Sequence, residues 1–430
     1  MPGCESVVEE LLVAHVGIDW GEKKHHVSVC GEGRPGEVTS REVGARPESL
    51  QEWLKGLLQQ YPEGRIAVYL ESCRSGLRYF LMGYQRLELY LIATTASRHY
   101  RKMFYPSGAK SDPRDSELLL EMGYRHRDRF RPWWPETGEI RQLQVLVEDR
   151  RHWVDLKKGW VQQLRQALDR YFPQAEELVR DLSSESAWHL LRRWPRLSQW
   201  QRVRPATLQK QLQKLGCRRV PQRVEEIGQT VARAVPMTRD EATQAVMVLR
   251  VQSLTAALLQ IEQTVAVYDE QIEELARQQE ETRLFRSFPG AGRSLAPRLV
   301  ALYGSDRERF QDSQEVSQYT GIAPVQKSSG QQHQVVFRKG CPRFLRQTLH
   351  EFARQSIRFS PWARAHYDRQ RALGKRHHCA LRSLAFKWNR ILYRCWKDQT
   401  PYQEQQHLEA LRKRRSPVLE FLPEETRQGA

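Results

Sequence analysis

The sequence predicts an α/β sheet domain, then a long helical arm and a mostly helical C-terminal domain. Short apolar runs alternate with helical segments over the first 130 residues, which is the pattern of an α/β sheet. An apolar heptad repeat follows, and short helices marked by glycine and proline come after residue 285. A chain of 430 residues is too long for one small module and has room for roughly two to four domains.

The first domain is predicted over residues 1–130. Residues 15–19 and 27–30 are apolar runs on either side of a polar turn, so they predict an antiparallel hairpin. A helix with an apolar face follows, and two further strands end at Glu71 and Ile92. A polar, basic loop is predicted from there to Gly108, before the next helix. The apolar positions of the first helix are Leu50, Trp53, Leu54 and Leu57.

The second region, residues 131–284, is predicted to be a helical arm. Its apolar seam has alternating steps of four and three residues from Met247 to Leu275, as in a coiled coil. A similar stripe from Ile140 to Leu168 is interrupted by Arg150 and Lys157. The two stripes predict either an antiparallel pair within one chain or a coiled coil between chains. A tryptophan-rich insertion at about 183–237 is expected at the far end of the arm.

The third region is predicted as a C-terminal domain over residues 285–400, followed by a mobile tail over 401–430. The domain contains a probable turn at Pro289–Gly292, a hairpin around Gly330 and a last helix rich in arginine and lysine. The tail contains four consecutive basic residues and then proline and glutamate, a composition typical of mobile termini.

Charge and cysteine content narrow the function. The formal net charge of +18 indicates a polyanionic partner, which is nucleic acid or an acidic membrane face. No run approaches the ~18 apolar residues of a spanning helix, and the first ten residues lack the basic start of a signal peptide, so a cytoplasmic protein is expected. The seven scattered cysteines have no C-x-x-C pair, which fits neither a disulfide framework nor a zinc ribbon.

Four carboxylates at the ends of predicted elements suggest a metal site. Asp19 and Glu71 each end an apolar strand, where a charge is costly unless it faces a cleft or a cation. Pro113 at the first helical position makes Asp112 an N-cap and places Asp115 one turn further on. A cap and a first-turn acid explain the last two on their own, but the combination is that of ribonuclease-H-like nucleases, which hold Mg²⁺ or Mn²⁺.

The motifs in both end domains resemble those of the DEDD transposases of insertion-sequence family one-ten, which includes the Piv-type DNA invertases. The first domain carries Val16-Gly17-Ile18-Asp19, Leu70-Glu71 and the segment from Lys110 to Asp115. The C-terminal domain carries Pro289-Gly290-Ala291-Gly292, Tyr319 to Pro324 and Ser329-Gly330, and then Gly340, Arg346, Tyr367 and Gly374-Lys375. The resemblance spans roughly residues 13–130 and 284–397.

This resemblance implies a metal-dependent recombinase of bacterial nucleoid DNA with a RuvC-like acidic domain. Asp19, Glu71, Asp112 and Asp115 would bind the metal, and Ser329 would be the nucleophile that links to DNA. The partners would be double-stranded donor and target DNA and a structured bridge RNA encoded by the element. The enzyme would act as a dimer or tetramer whose active site combines the acids of one subunit with the serine of another. Ser328 lies next to Ser329, and only the family alignment distinguishes them.

Two details depart from the family pattern. Relatives commonly have Glu-Ala-Thr-Gly where this chain has Glu71-Ser72-Cys73-Arg74, and Ser116 stands where alanine is usual. Neither departure removes an acid, although both affect expectations about the substrate.

Nucleic-acid contacts are expected from glycine and from basic side chains. The turn at Gly290 and Gly292 presents backbone N–H groups to a phosphate or simply caps a helix. The expected basic contacts are Arg338, Lys339, Arg343, Arg346, Lys375 and Arg376. Trp133, Trp134 and the tryptophans of the insertion would stack on unpaired bases of an RNA or belong to a core.

Two other functions remain open from the sequence alone. The first is a RuvC-like hydrolytic nuclease or Holliday-junction resolvase, in which water attacks and Ser329 is structural. The second is a non-catalytic RNA-binding protein that keeps its acids for folding.

Overall fold

A computed structural model describes residues 11–71, 76–104, 112–329, 332–336, 338 and 340–424, with side chains omitted at 112, 326–329 and 332–336. The chain forms two compact units, Met1–Pro135 and Glu136–Ala430. The predicted boundary at residue 130 is therefore within a few residues of the first division. The predicted helical arm and C-terminal domain belong to one unit.

The described residues of the first unit form a five-stranded mixed sheet and four helices. Its strands are β1 (Leu12–Asp19), β2 (Lys24–Gly31), β3 (Thr39–Gly44), β4 (Arg65–Glu71) and β5 (Leu87–Ile92). Its helices are α1 (Pro47–Gln60), α2 (Leu77–Leu81), α3 (Thr94–Phe104) and α4 (Asp112–Arg125), with a short 3₁₀ helix at Arg127–Arg129.

The sheet order is β3-β2-β1-β4-β5. The predicted hairpin is confirmed, because β1 pairs with β2 antiparallel. Strand β4 lies parallel to β1 and β5 lies parallel to β4. This mixed sheet fits a ribonuclease-H-like DEDD domain. One face of the sheet packs on α1, whose four predicted apolar residues are all buried.

Two elements of this unit differ from the sequence prediction. Strand β3 was not predicted, because its exposed, polar residues lack the apolar alternation of a half-buried strand. The basic loop predicted after β5 is wrong for 94–104, which form α3. Only Ser97 and Tyr100 are buried on α3, so the apolar periodicity that identifies a helix is too weak to read.

The second unit is mostly helical. Its long helices are α5 (Gly138–Asp169) and α11 (Glu241–Gln278), and between them lie α6 (Ala175–Val179), α7 (Glu185–Arg193), α8 (Leu197–Arg202), α9 (Pro205–Lys214) and α10 (Val220–Arg233). After them come α12 (Glu280–Arg286), α13 (Leu295–Tyr303), α14 (Ser313–Thr320), β6 (Val325–Ser329), β7 (Gln332–Val336), α15 (Arg343–Ser356), α16 (Pro361–Ala372), α17 (His377–Lys397) and α18 (Glu404–Lys413), with a 3₁₀ helix at Pro417–Phe421.

Helices α5 and α11 pack against each other as an antiparallel pair within one chain. The Nζ atom of Lys157 lies 2.9 Å from Oε2 of Glu262, and Nε of Arg150 lies 2.5 Å from Oδ1 of Asp269. The higher-numbered residue of α5, Lys157, therefore pairs with the lower-numbered residue of α11, Glu262, as expected for antiparallel helices. The two cations that interrupt the α5 stripe are thus explained by acids on α11. The apolar seam of α11 is covered by the same chain, which selects the antiparallel pair within one chain over the coiled coil between chains.

Helix α11 is also long and apolar enough, by length and composition alone, to cross a membrane, with a mean hydropathy of 1.3 over its best 18 residues. Core helices meet the same criterion. Its Val251 and Leu258 are fully buried in the core that α11 forms with α5 and the insertion.

The tryptophans of the insertion belong to that core. Trp188 is fully buried, and its indole N–H donates to the carbonyl of Leu182 at 2.7 Å. Trp200 donates in the same way to the carbonyl of Trp194, and both are largely buried. The hypothesis that they stack on RNA bases is therefore wrong, because their rings face protein. Trp134 is 58% exposed and remains accessible.

The predicted mobile tail is wrong for most of its length. Residues 404–413 form α18, and Leu408, Val418 and Leu422 are buried in the core of the C-terminal helices. The indole N–H of Trp362 also donates to the hydroxyl of Tyr402 at 2.6 Å. The basic run that suggested mobility lies on the outside of this packed segment.

Candidate functional site

Asp19 and Glu71 lie side by side at one edge of the sheet. They end the parallel strands β1 and β4, and Ile18 is paired with Leu70 directly before them. Neighbouring strands are about 4.8 Å apart, so the two backbone positions are close. The residues directly before the acids, Ile18 and Leu70, are buried against α1. Because successive side chains of a strand point to opposite faces, both acids lie on the face of the sheet opposite α1.

Helix α4 covers that second face and runs antiparallel to β1. Gly17 lies against the backbone of Ser116, and an added Cβ at Gly17 would be 2.1 Å from the Ser116 carbonyl oxygen. His15 lies two residues before Gly17 on β1, and Tyr124 lies about two turns after Ser116 on α4. Their rings are in contact, with centroids 4.6 Å apart. The start of α4 therefore lies at the carboxyl edge of the sheet, beside Asp19.

The start of α4 carries the other two predicted acids. The helix begins at Asp112, one residue earlier than predicted, and the side chain of Asp112 lies outside the described part of the structure. Asp115 is 5% exposed, and its Oδ1 lies 2.7 Å from Nη2 of Arg101 on α3. A carboxylate this buried needs a cation or several hydrogen-bond donors. Arg101 supplies one such cation.

Glu71 is also bound by α3, the helix that carries Arg101. The hydroxyl of Ser97 donates to Oε1 of Glu71, and Ser97 is buried. Ser97 and Arg101 are four residues apart, so they share one face of α3. Both residues were missed from the sequence because α3 itself was predicted as a loop. Their four-residue spacing indicates a shared face only if the segment is already known to be a helix.

Ser116, which stands where the family that the sequence resembles usually has alanine, joins α4 to the sheet. Its hydroxyl lies 2.7 Å from that of Ser28 on β2 and donates to the carbonyl of Pro113 at 2.8 Å. Ser28 also lies 2.9 Å from the hydroxyl of Ser40 on β3. The serine is fully buried, so its hydroxyl is satisfied inside the protein and is a structural link.

The donor set suits a hard divalent cation, because Mg²⁺ and Mn²⁺ prefer carboxylate oxygens. Asp19, Glu71 and Asp115 reach the same edge of the sheet from three elements. In the described part of the structure, however, no three acids, histidines or cysteines group closely enough to hold a metal ion. The residue types suit a divalent cation, and two of the side chains, Glu71 and Asp115, are bound by α3.

Ser329 lies in the second unit, at the end of β6. The predicted hairpin is confirmed as β6 and β7, which pair antiparallel with Ser329 opposite Gln332 and Ser328 opposite His333. Gly330, Lys339 and the side chains of both serines are outside the described residues. The choice of Ser329 over Ser328 therefore stays a prediction.

The turn at Gly290 has a packing role. Gly290 has φ +83°, and an added Cβ would lie 3.0 Å from Cγ of Gln355 on α15. The N–H of Ala291 already donates to the carbonyl of Phe288 at 3.0 Å. No atom lies within 4 Å of a Cβ added at Gly292, and its carbonyl accepts from the N–H of Leu295. The close approach of α15 explains the glycine at position 290, and phosphate binding by the N–H groups of Gly290 and Gly292 stays a prediction.

Of the six predicted basic contacts, Arg338 is half-buried, Lys339 lies outside the described residues, and the other four divide into two groups. Arg346 braces the segment before α15, because its Nη1 donates to the carbonyl of Arg338 at 2.9 Å and to Sγ of Cys341 at 3.3 Å. Arg343, Lys375 and Arg376 are exposed. The exposed group is the better candidate for contact with a nucleic-acid backbone.

Comparison with known proteins gives two family matches. The IS110-type DEDD transposase model matches residues 16–173, and a model described as the transposase IS116/IS110/IS902 family matches residues 282–368. A Streptomyces coelicolor protein described as a mini-circle transposase for IS117 is 26% identical over 413 residues, covering 92% of this chain and 97% of the relative.

Two further relatives belong to insertion elements. An uncharacterized 43.6 kDa protein of IS110 from Streptomyces coelicolor is 25% identical over 306 residues, covering 70% of this chain and 73% of the relative. An uncharacterized 44.8 kDa protein of IS116 from Streptomyces clavuligerus is 24% identical over 398 residues, covering 89% and 94%.

The mixed sheet with acids at one edge, together with these matches, defines a transposase, an enzyme of DNA strand transfer. The matched segments include the edge that carries Asp19 and Glu71 and the turn at Gly290. The matches over residues 16–173 and 282–368 support an IS110-family transposase.

Proposed function

We propose that this transposase is a metal-dependent serine recombinase that moves its own insertion sequence under the guidance of a structured bridge RNA. The observation that carries the proposal is the common sheet edge reached by Asp19, Glu71 and the start of α4. The match of the C-terminal family model up to residue 368, which includes Ser329, adds support.

The residues divide the chemistry between them. Asp19, Glu71, Asp112 and Asp115 would hold Mg²⁺ or Mn²⁺, which when bound lowers the pKa of an attacking hydroxyl and offsets charge on the scissile phosphate. Oγ of Ser329 bonds to phosphorus while the bond from phosphorus to a deoxyribose oxygen breaks, and the serine proton passes to the departing oxygen. The reverse step joins the held strand to a hydroxyl from another DNA end, so no external energy source is needed.

Donor DNA, target DNA and bridge RNA are the proposed partners, and the formal net charge of +18 suits all three. Arg343, Lys375 and Arg376 are exposed and would contact phosphates, whereas Arg346 would act indirectly by bracing its segment. Trp134 offers a ring for stacking on an unpaired RNA base. A dimer or tetramer is proposed as the active form.

The serine step is tested by Ser329→Ala with Ser328→Ala as the matched control. Purified proteins are incubated with labelled DNA that carries the element ends, and covalent protein–DNA adducts are separated under denaturing conditions. Adduct formation by Ser328→Ala and none by Ser329→Ala is expected. Continued DNA cutting by Ser329→Ala would favour the hydrolytic nuclease or resolvase instead.

The RNA step is tested by sequencing RNA that copurifies with the protein. A structured transcript from DNA flanking its own gene is expected. Only random cellular RNA would contradict guidance. The non-catalytic RNA-binding alternative would be favoured if Asp19→Asn left recombination in cells unchanged.

A further inference from the structure

One face of α3 binds two of the acids at the sheet edge. Nη2 of Arg101 lies 2.7 Å from Oδ1 of Asp115, and the Ser97 hydroxyl donates to Glu71. The Arg101 side chain is 24% exposed and that of Asp115 is 7% exposed, so water screens the pair weakly. These contacts come from one helix, so they form and break together.

The acids share an edge without forming a group that could hold a metal in the described part of the structure. The two contacts from α3 give a physical reason. A carboxylate oxygen that accepts from a guanidinium or a hydroxyl is turned toward α3 and has fewer lone pairs free for a cation.

We propose that Arg101 is a positioning residue that binds Asp115 and competes with the divalent metal for it, with Ser97 doing the same at Glu71. This inference rests on the proposed metal-dependent function. Helix α3 is then a latch on the acidic site. A cation that binds there takes over the neutralisation of Asp115, so the buried carboxylate keeps a positive partner throughout.

The packing of α3 suits this exchange. Of its eleven residues only Ser97 and Tyr100 are buried, and Met103 and Phe104 at its end are 66% and 50% exposed. Elements with few buried contacts move at low free-energy cost. Release of α3 breaks the two polar contacts and the packing of Tyr100 in the core beneath it.

The test measures Mn²⁺ binding by isothermal titration calorimetry to the full-length wild-type protein and two charge-matched variants. Arg101→Ala removes the competing guanidinium. Arg98→Ala removes one positive charge from an exposed position on the same helix. It therefore reproduces any increase in Mn²⁺ affinity that comes only from the lower net charge. Removing one charge-assisted hydrogen bond is expected to tighten Mn²⁺ binding about tenfold for Arg101→Ala relative to Arg98→Ala. Arg101→Lys is expected to return affinity toward the wild-type value.

Ser97→Ala provides an independent second arm. It removes one hydroxyl with little change in volume and is expected to tighten Mn²⁺ binding by a smaller factor. Thermal denaturation in EDTA and in Mn²⁺ confirms folding, and Arg101→Ala should lower the melting temperature more in EDTA than in Mn²⁺.

The outcomes separate the latch from the proposed function. Equal affinities of Arg101→Ala and Arg98→Ala, with binding still lost in Asp115→Asn, would overturn the latch and leave the metal site standing. Weaker binding by Arg101→Ala would also overturn it, since Arg101 would then be orienting Asp115 for the metal. Binding that is absent, or insensitive to Asp115→Asn, would overturn the metal site and the latch together.

Discussion

Gly17→Ala is expected to disturb the acidic edge without touching an acid. The new Cβ would lie 2.1 Å from the Ser116 carbonyl oxygen and 2.6 Å from the Leu120 nitrogen. An ordinary contact needs about 3.4 Å, and both neighbours are helix backbone, which cannot rotate away. Helix α4 must therefore retreat from β1 by about 1 Å, and it carries Asp112 and Asp115 with it.

The magnitude follows from that displacement. Overpacking of this kind typically costs about 1–3 kcal/mol in the free energy of unfolding. A displacement of about 1 Å at reacting groups costs on the order of 10²-fold in rate. The rate of DNA cleavage at the element ends, at saturating Mg²⁺, is expected to fall by that factor in protein shown by circular dichroism to be folded.

Gly56→Ala is the matched control. Gly56 is exposed in the middle of α1, and no atom lies within 4 Å of its added Cβ. Alanine is the better helix former, so this variant should gain about 0.5–1 kcal/mol and keep wild-type cleavage. Wild-type stability and cleavage in Gly17→Ala would refute the close contact of α4 with β1.

Three further predictions concern residues of the second unit, and one of them uses Trp134 of the first unit as its control. Burial, followed by nearby cations, lowers the pKa of His366 from 6.5 to about 4. Its contribution to the free energy of unfolding is therefore fully present above pH 6.5 and falls by up to about 3 kcal/mol as the pH drops to 4. Urea titrations should show a shallower loss between these pH values for His366→Gln, and an unchanged loss would be the contrary result. Trp188→Ala should cost about 3–5 kcal/mol and Trp134→Ala almost nothing, measured by urea denaturation, because only Trp188 is buried; similar costs would contradict the core assignment. Lys157→Glu should lose about 0.5–1 kcal/mol, and a second change, Glu262→Lys, should restore it. No recovery in the double variant, by the same titration, would argue against the antiparallel pairing of α5 and α11.

Much of the first unit could be predicted because its strands follow elementary patterning. The apolar runs at β1, β2, β4 and β5 each face a packed layer, so their composition reports their burial. Asp19 and Glu71 could be found because a charge that ends a buried strand is unusual, whereas Asp115, a first-turn acid of α4, was found only from its combination with them. Strand β3 could not be predicted, because it lies at the edge of the sheet and most of its residues are exposed.

The partners of the acids depend on tertiary contacts that no local pattern contains. Arg101 is one of many arginines, and only the packing of α3 beside α4 brings it to Asp115. Arg150 likewise looks like a defect in a stripe until Asp269 is placed opposite it. Trp188 shows the converse case, because a tryptophan in a basic segment suits a nucleic-acid surface and a core equally well until burial is known.

The central claim is that the acids at the sheet edge carry the metal-dependent chemistry. Cleavage of element-end DNA in Mg²⁺ by Asp19→Asn, beside Asp128→Asn at an exposed position in the same unit, tests it most directly. A loss of on the order of 10³-fold in Asp19→Asn with wild-type rates in Asp128→Asn is predicted. Wild-type cleavage by Asp19→Asn would contradict the claim.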